Sequence, residues 1–245
     1  MEPLEQVGDS DVDYVQAYRD LKAKQPLSDP RAIPESHAFE NWRDWFSENM
    51  DYAVTLAYVE KEKKHLHELF GEGELTRIEH VGSTSIPGMP GMLIPDLILY
   101  VKTFPPTNET FRKLINAGFV WKGLSPHVNK EDDDLMFGKR DDSTPKDGVS
   151  QMGTGLHVVP QNFTRLDPIV KFRDLAKSNP QILEEYKRTK LEVFRNQTSA
   201  DALDFYKYKR GKNQLLNTEV LSTNTLEAKT EFKGQDLDQF RLFKN

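Results

Sequence analysis

The run Leu93–Lys102 constrains the fold more than any other stretch of this 245-residue chain. It is rich in Leu, Ile, Tyr and Val, the composition of a strand. It also holds one carboxylate, Asp96, inside the apolar segment Leu93–Val101. A carboxylate there is costly unless it is paired, hydrogen-bonded or turned toward a cleft. Just upstream, Thr76–Val81 reads as a second strand, and Gly82–Gly91 as a loop of Gly, Ser, Thr and Pro. Two strands joined through that small-residue bend form the centre to which the remaining elements must be fitted.

Those elements are mostly helical. Tyr52–Phe70 reads as a helix stopped by Gly71–Glu72–Gly73, and Asn108–Ala117 as another with Gly118 at its end. Phe119–Lys122, Leu135–Lys139 and Gly155–Pro160 read as short strands. Arg165–Lys177, Pro180–Asn196 and Ala200–Leu216 read as helices, with Pro180 at a favourable first position. Trp42, Trp45 and Phe46 recur at helical spacing within His37–Met50, a pattern typical of core. Residues 1–37, with a short helix over Asp11–Lys24 and then Pro26, Pro30 and Pro34, read as a peripheral extension. Residues 38–216 read as one domain and 217–245 as a loosely attached tail. Strands with intervening helices followed by a helical half predict an α/β (α+β) fold with a small mixed sheet.

Composition closes off several classes of function. There is no cysteine, hence no disulfide, thiolate metal site or cysteine nucleophile. No apolar run reaches the ~18–20 residues of a membrane span, and Met1–Ser10 is acidic with no secretory core. A soluble, cytoplasmic protein is expected. P-loop, dinucleotide and paired-histidine zinc motifs are missing. Net charge is −6, yet Pro160–Leu216 carries twelve Lys or Arg against seven Asp or Glu. Solvated helix surfaces and a polyanion-binding face both account for that asymmetry.

The chemistry concentrates in His80-Val81-Gly82-Ser83-Thr84-Ser85-Ile86-Pro87-Gly88. Glycine lets the backbone approach a ligand closely, and the hydroxyls beside exposed amides suit an anion, phosphate above all. Twelve residues separate Ser83 from Asp96. A Gly-Ser pair followed at that interval by a strand aspartate resembles the polymerase-beta-type nucleotidyltransferase superfamily. More narrowly, His80–Gly88 and Ile94-Pro95-Asp96-Leu97 resemble the GrpB family. Leu156-His157-Val158-Val159, Phe172-Arg173-Asp174, Tyr186-Lys187 and Tyr208-Lys209-Arg210-Gly211-Lys212 extend the likeness over roughly Trp45–Leu216. The resemblance implies a nucleotidyltransferase-like sheet flanked by helices and a cleft lined by Gly82, Ser83, Asp96 and His157.

Metal-dependent nucleotidyl transfer needs carboxylates at i and i+2 on one strand face, to hold divalent ions. Position i+2 after Asp96 is Ile98, and the later strand offers His157 where a third acid is expected. Magnesium favours oxygen ligands. Mg²⁺ is therefore expected only if the nucleotidyltransferase alternative holds, and otherwise no cofactor and no metal ligands. Some fungal proteins resembling the GrpB group are arginine-containing cyclodipeptide synthases, which join two aminoacyl groups from charged tRNA. That likeness implies arginyl-tRNA and a second charged tRNA as partners, with no membrane and no protein partner. His80 or His157 would serve as base, Gly82, Ser83 and Thr84 as oxyanion donors, and Ser83 or Ser85 as a nucleophile if a covalent intermediate forms. A guanidinium substrate group would seek a carboxylate, at Asp96 or in the run Asp132, Asp133, Asp134. Lys171, Arg173, Lys187, Tyr208 and Lys212 would follow the tRNA backbone. A non-catalytic ligand-binding member of the same fold is the remaining reading.

Overall fold

A computed structural model describes residues 12–24, 42–71, 73–124, 134–141 and 152–197. The expected helix Ala200–Leu216, the tail, Tyr208, Lys212, Asp132 and Asp133 lie outside these residues. Five helices are described: α1 (Tyr14–Lys24), α2 (Tyr52–Phe70), α3 (Asn108–Asn116), α4 (Asp167–Ser178) and α5 (Pro180–Arg195). The strands are β1 (Phe46–Ser47), β2 (Leu75–Val81), β3 (Gly91–Met92), β4 (Asp96–Val101), β5 (Val120–Leu124), β6 (Leu135–Asp141) and β7 (Met152–Pro160). Local chemistry sets several ends. Asp51 caps α2 by accepting from the Ala53 and Val54 amides, and Asn179 caps α5 by accepting from Gln181 and Ile182.

The main sheet is mixed, in the order β2-β4-β7-β6-β5. β4 and β7 are parallel, and every other pair is antiparallel. Directly paired residues share a face, so register sorts the side chains into two layers. Leu97, Leu99 and Val101 on β4, with Leu156 and Val158 on β7, pack with α1, α2 and α3. Ile98, Tyr100 and Val159 point the other way, onto Leu166 and Ile169 at α4. Each fully buried aliphatic side chain of this kind contributes about 1.5–3 kcal/mol.

Three expectations are corrected. The strand expected over Leu93–Lys102 begins its ladder only at Asp96, because Pro95 has no amide hydrogen to donate. Its first part follows β3, which pairs with β1, and bonds irregularly instead: the Leu93 amide donates to Trp45 O, while Leu93 O and Pro95 O accept from Gly153 and Gly155. The aromatic segment around Trp42 forms a single 3-10 turn, Trp42–Trp45, before entering β1. Phe46 then stacks on Phe194 of α5, with ring centroids 3.7 Å apart. Finally, α1 is no peripheral element. Tyr14 and Tyr18 are buried, and Tyr14 stacks on Phe111 of α3 at 5.4 Å.

Candidate active site

β2 ends at Val81, and Gly82 turns the chain with φ 73° into the 3-10 turn Ser83–Ser85. Loop geometry is held from inside. Ser85 Oγ donates to Gly82 O at 2.6 Å, and Thr84 Oγ1 bonds His80 Nε2 at 2.9 Å. The two hydroxyls expected to bind substrate therefore shape the bend. Within the turn, carbonyl partners serve the Ser85 and Ile86 amides, while the Ser83 and Thr84 amides precede the first such acceptor.

Asp96 opens β4, with Val81 of β2 on one side and Gly155 of β7 on the other. Its carboxylate is half-buried and occupies the space of two missing side chains. A Cβ on Gly82 would stand 2.8 Å from Oδ2, and one on Gly155 would stand 2.6 Å from Oδ1. Among the described residues it makes no hydrogen bond or ion pair. The acid thus faces the bend instead of being neutralised within the core.

His157 lies one row along the same face. It is two residues after Gly155 and sits between Ile98 of β4 and Met136 of β6. Asp134, fully buried, contacts His157 Nδ1 through both oxygens, at 2.9 and 3.1 Å. An ionised carboxylate only accepts, so Nδ1 carries the proton and Nε2 is the basic nitrogen of the neutral ring. Asp134 therefore orients a histidine, and the expectation that it binds a substrate guanidinium is corrected.

His80 does not join this group. It pairs with Leu97, whereas Asp96 pairs with Val81, so the pleat sends His80 to the opposite face of the sheet. Burial, then the cations Lys63, Lys177 and Arg173, push its pKa down from 6.5 to about 3. The base role expected for His80 is thus not supported by its position. The depressed value has a consequence for stability. The unfolded chain takes up a proton that the folded chain refuses, so the stability is complete above about pH 6.5 and is lost as pH falls toward about 3. We expect the cost to reach roughly 3 kcal/mol by pH 4. Urea midpoints of wild type and His80→Gln at pH 7.5 and pH 4 check this. Equal pH slopes in the two proteins would count against it.

Residues that sequence reasoning missed enter from α5. Lys190 is 2% exposed. Its Nζ lies 2.8 Å, and Ser83 Oγ 2.5 Å, from the spot a Cβ on Gly91 would occupy. The ammonium and the hydroxyl thus both fill the space over a glycine. One turn earlier, Tyr186 is buried, and burial followed by the nearby Asp96 carboxylate raises its phenol pKa. A lysine four residues after a tyrosine on a basic helix was visible, but nothing in the sequence said that this lysine points inward.

The expected polyanion contacts fare unevenly. Arg173 is spent within the fold, donating to Glu79 at 2.7 Å and His80 O at 2.9 Å and pairing with Asp174 at 2.8 Å. It ties α4 to β2, which corrects its assignment to tRNA. Lys171 is exposed and Lys187 half-buried. Ile98, where a second metal-binding acid would stand, is fully buried among apolar side chains. Among the described residues, no three His, Asp or Glu side chains converge as metal ligands. The residues present do not fit a Mg²⁺ pair.

A family model described as GrpB protein matches residues 41–220. The chain belongs to the GrpB family. Relatives include UPF0157 protein YqkA of Bacillus subtilis (strain 168), 26% identical over 160 residues, which cover 65% of this chain and 41% of that protein. UPF0157 protein BH1888 of Halalkalibacterium halodurans is 25% identical over 134 residues, covering 55% of this chain and 62% of that one. The chain thus matches less than two thirds of the length of either relative. The crystal structure of conserved protein GrpB from Enterococcus faecalis superposes with a TM-score of 0.51 at 18% identity, covering 70% of this chain and 96% of the other. That likeness establishes the GrpB fold. Among the described residues, no helix is long and apolar enough to cross a membrane.

Proposed function

We propose that this GrpB protein is a tRNA-dependent cyclodipeptide synthase that joins an arginyl and a second aminoacyl group into a diketopiperazine. The observation that carries the reading is the Asp134–His157 dyad, one row from an Asp96 that has no partner among the described residues and has Ile98 where metal-dependent nucleotidyl transfer would need a second carboxylate. Aminoacyl esters are already activated, so the chemistry calls for positioning, a base and an oxyanion site. His157 Nε2 takes a proton from the α-ammonium of one aminoacyl group. The freed amine attacks the ester carbonyl of the other, and the ribose hydroxyl of that tRNA leaves with a proton. The new dipeptidyl ester then closes on itself in the same way, releasing the second tRNA. Ser83, Lys190 and the loop amides hold the developing oxyanion, and Asp96 holds the guanidinium of the arginyl group. Lys171 and Lys187 are the described cations left to follow the tRNA backbone.

Expression in a bacterium, with mass spectrometry of the medium, tests this. Arginine-containing diketopiperazines are the expected products. Their absence alongside soluble protein and intact arginyl-tRNA pools would sink the reading. A second reading, nucleotidyl transfer, is favoured by Ser83 Oγ and Lys190 Nζ standing over Gly91 beside the Gly82 bend, a hydroxyl and a cation of the kind that suits phosphate. It requires heat on titrating ATP with Mg²⁺, and a silent titration removes it.

A further inference from the structure

The Gly82 bend is gripped from behind the sheet. His80 and its pair Leu97 lie on the face packed with α2, away from Asp96. From there the His80 ring reaches Thr84 of the turn, Nε2 to Oγ1, at 2.9 Å. A hydroxyl both donates and accepts, so the bond forms with either tautomer of the neutral ring. Both residues are buried, at 8% and 2% exposure, and the bond is the only one either side chain makes among the described residues. The His80 main chain is fixed as well, because its carbonyl accepts from Arg173 Nη1 at 2.9 Å. Arg173 in turn pairs with Glu79 at 2.7 Å. Thr84 is therefore held by a ring whose own position is set from α4.

A buried polar pair of this kind is a poor way to fill space. Two apolar side chains of the same shapes would serve stability about as well or better. What the pair adds is direction. Thr84 carries one of the two amides that precede the first acceptor of the turn. Ser83 carries the other, beside the hydroxyl that stands over Gly91. Fixing the Thr84 side chain fixes the peptide units on either side of it. We infer that His80 is a positioning residue, which through Thr84 sets how the Ser83 and Thr84 groups of the bend face the substrate, without touching the substrate itself. For turnover the inference rests on the proposed function. For the shape of the bend it does not.

Variants of the full chain test it by unfolding midpoint, by diketopiperazine turnover, and by hydrogen exchange of the segment Gly82–Ile86. His80→Leu and Thr84→Val each leave one polar partner buried and unbonded, so both are expected to lower the midpoint. The double variant His80→Leu/Thr84→Val removes both partners, and its midpoint is expected to return to the wild-type value or above it. Turnover is not expected to return with it. In all three variants kcat falls roughly ten- to a hundredfold with KM little changed, since a small misplacement of reacting groups costs up to about 10²-fold. The bend of the double variant is expected to exchange faster than that of wild type. Thr84→Ser keeps the hydroxyl and should recover most of the turnover. A double variant that regains wild-type turnover along with its stability, or whose bend exchanges at the wild-type rate, reduces the pair to packing and overturns the inference. Should the double variant not fold, Thr84→Ser decides, and turnover as low as that of Thr84→Val overturns the inference. A wild type that yields no diketopiperazine sinks the proposed function alone, and exchange at the bend then tests the positioning by itself.

Discussion

Asp96→Asn is expected to lower diketopiperazine output by roughly two to three orders of magnitude while leaving the protein folded. The size follows from what the variant removes. In the proposed function a guanidinium docked on this half-buried carboxylate would lose its countercharge, and truncating one partner of such a pair costs about 2–5 kcal/mol. Asparagine preserves shape, so the loss reports charge alone. Because Asp96 makes no hydrogen bond or ion pair among the described residues, the substitution breaks none of the bonds that hold the fold there. Relieving a half-buried charge lets the thermal midpoint stay level or rise. Steady-state production assays beside thermal unfolding check both halves. A variant that unfolds early yet keeps its output would assign Asp96 to structure and leave the site without its anchor.

His157→Ala carries the second large effect. Loss of a positioned general base costs about 10²–10⁴-fold, expressed in kcat more than in KM, because the imidazole acts on the proton and not on side-chain recognition. Asp134→Asn should fall between wild type and His157→Ala. An amide can donate to Nδ1, which moves the ring proton to Nε2 and removes the basic face from the reaction. The dyad is buried, so both variants need a readout that a structural role would leave alone. The pH–rate profile supplies it. Wild type should show an acidic limb reporting the imidazole, and that limb should vanish in His157→Ala. A persistent limb would exclude His157 as the base.

Local chemistry explains which parts of the fold were legible in the chain. Asp51, Gly71, Asn179 and Pro180 mark the ends of α2 and α5 in any context, and both helices run as their sequences indicate. The Gly82–Gly91 bend and the inward acid at Asp96 were likewise visible, since an acid within an apolar strand demands an explanation. Register is what one chain does not reveal. Whether His80 shares a face with Asp96 depends on which residue of β2 meets which of β4, and a slip of one residue would reverse the answer. The same holds for Asp134, which looked like one acid in a run until β6 placed it against His157. Lys190 was one cation among many, because only packing turns a lysine inward.

The glycines at 82 and 155 do more than permit a turn. With main chain on both flanks of the Asp96 carboxylate, the acid is aimed by backbone that mutation of surrounding side chains cannot easily reach. The surrounding loops and helices are then free to drift while the charge between the two glycines keeps its direction. The same arrangement forbids a side chain at either glycine, because a Cβ at 82 or at 155 would collide with the carboxylate.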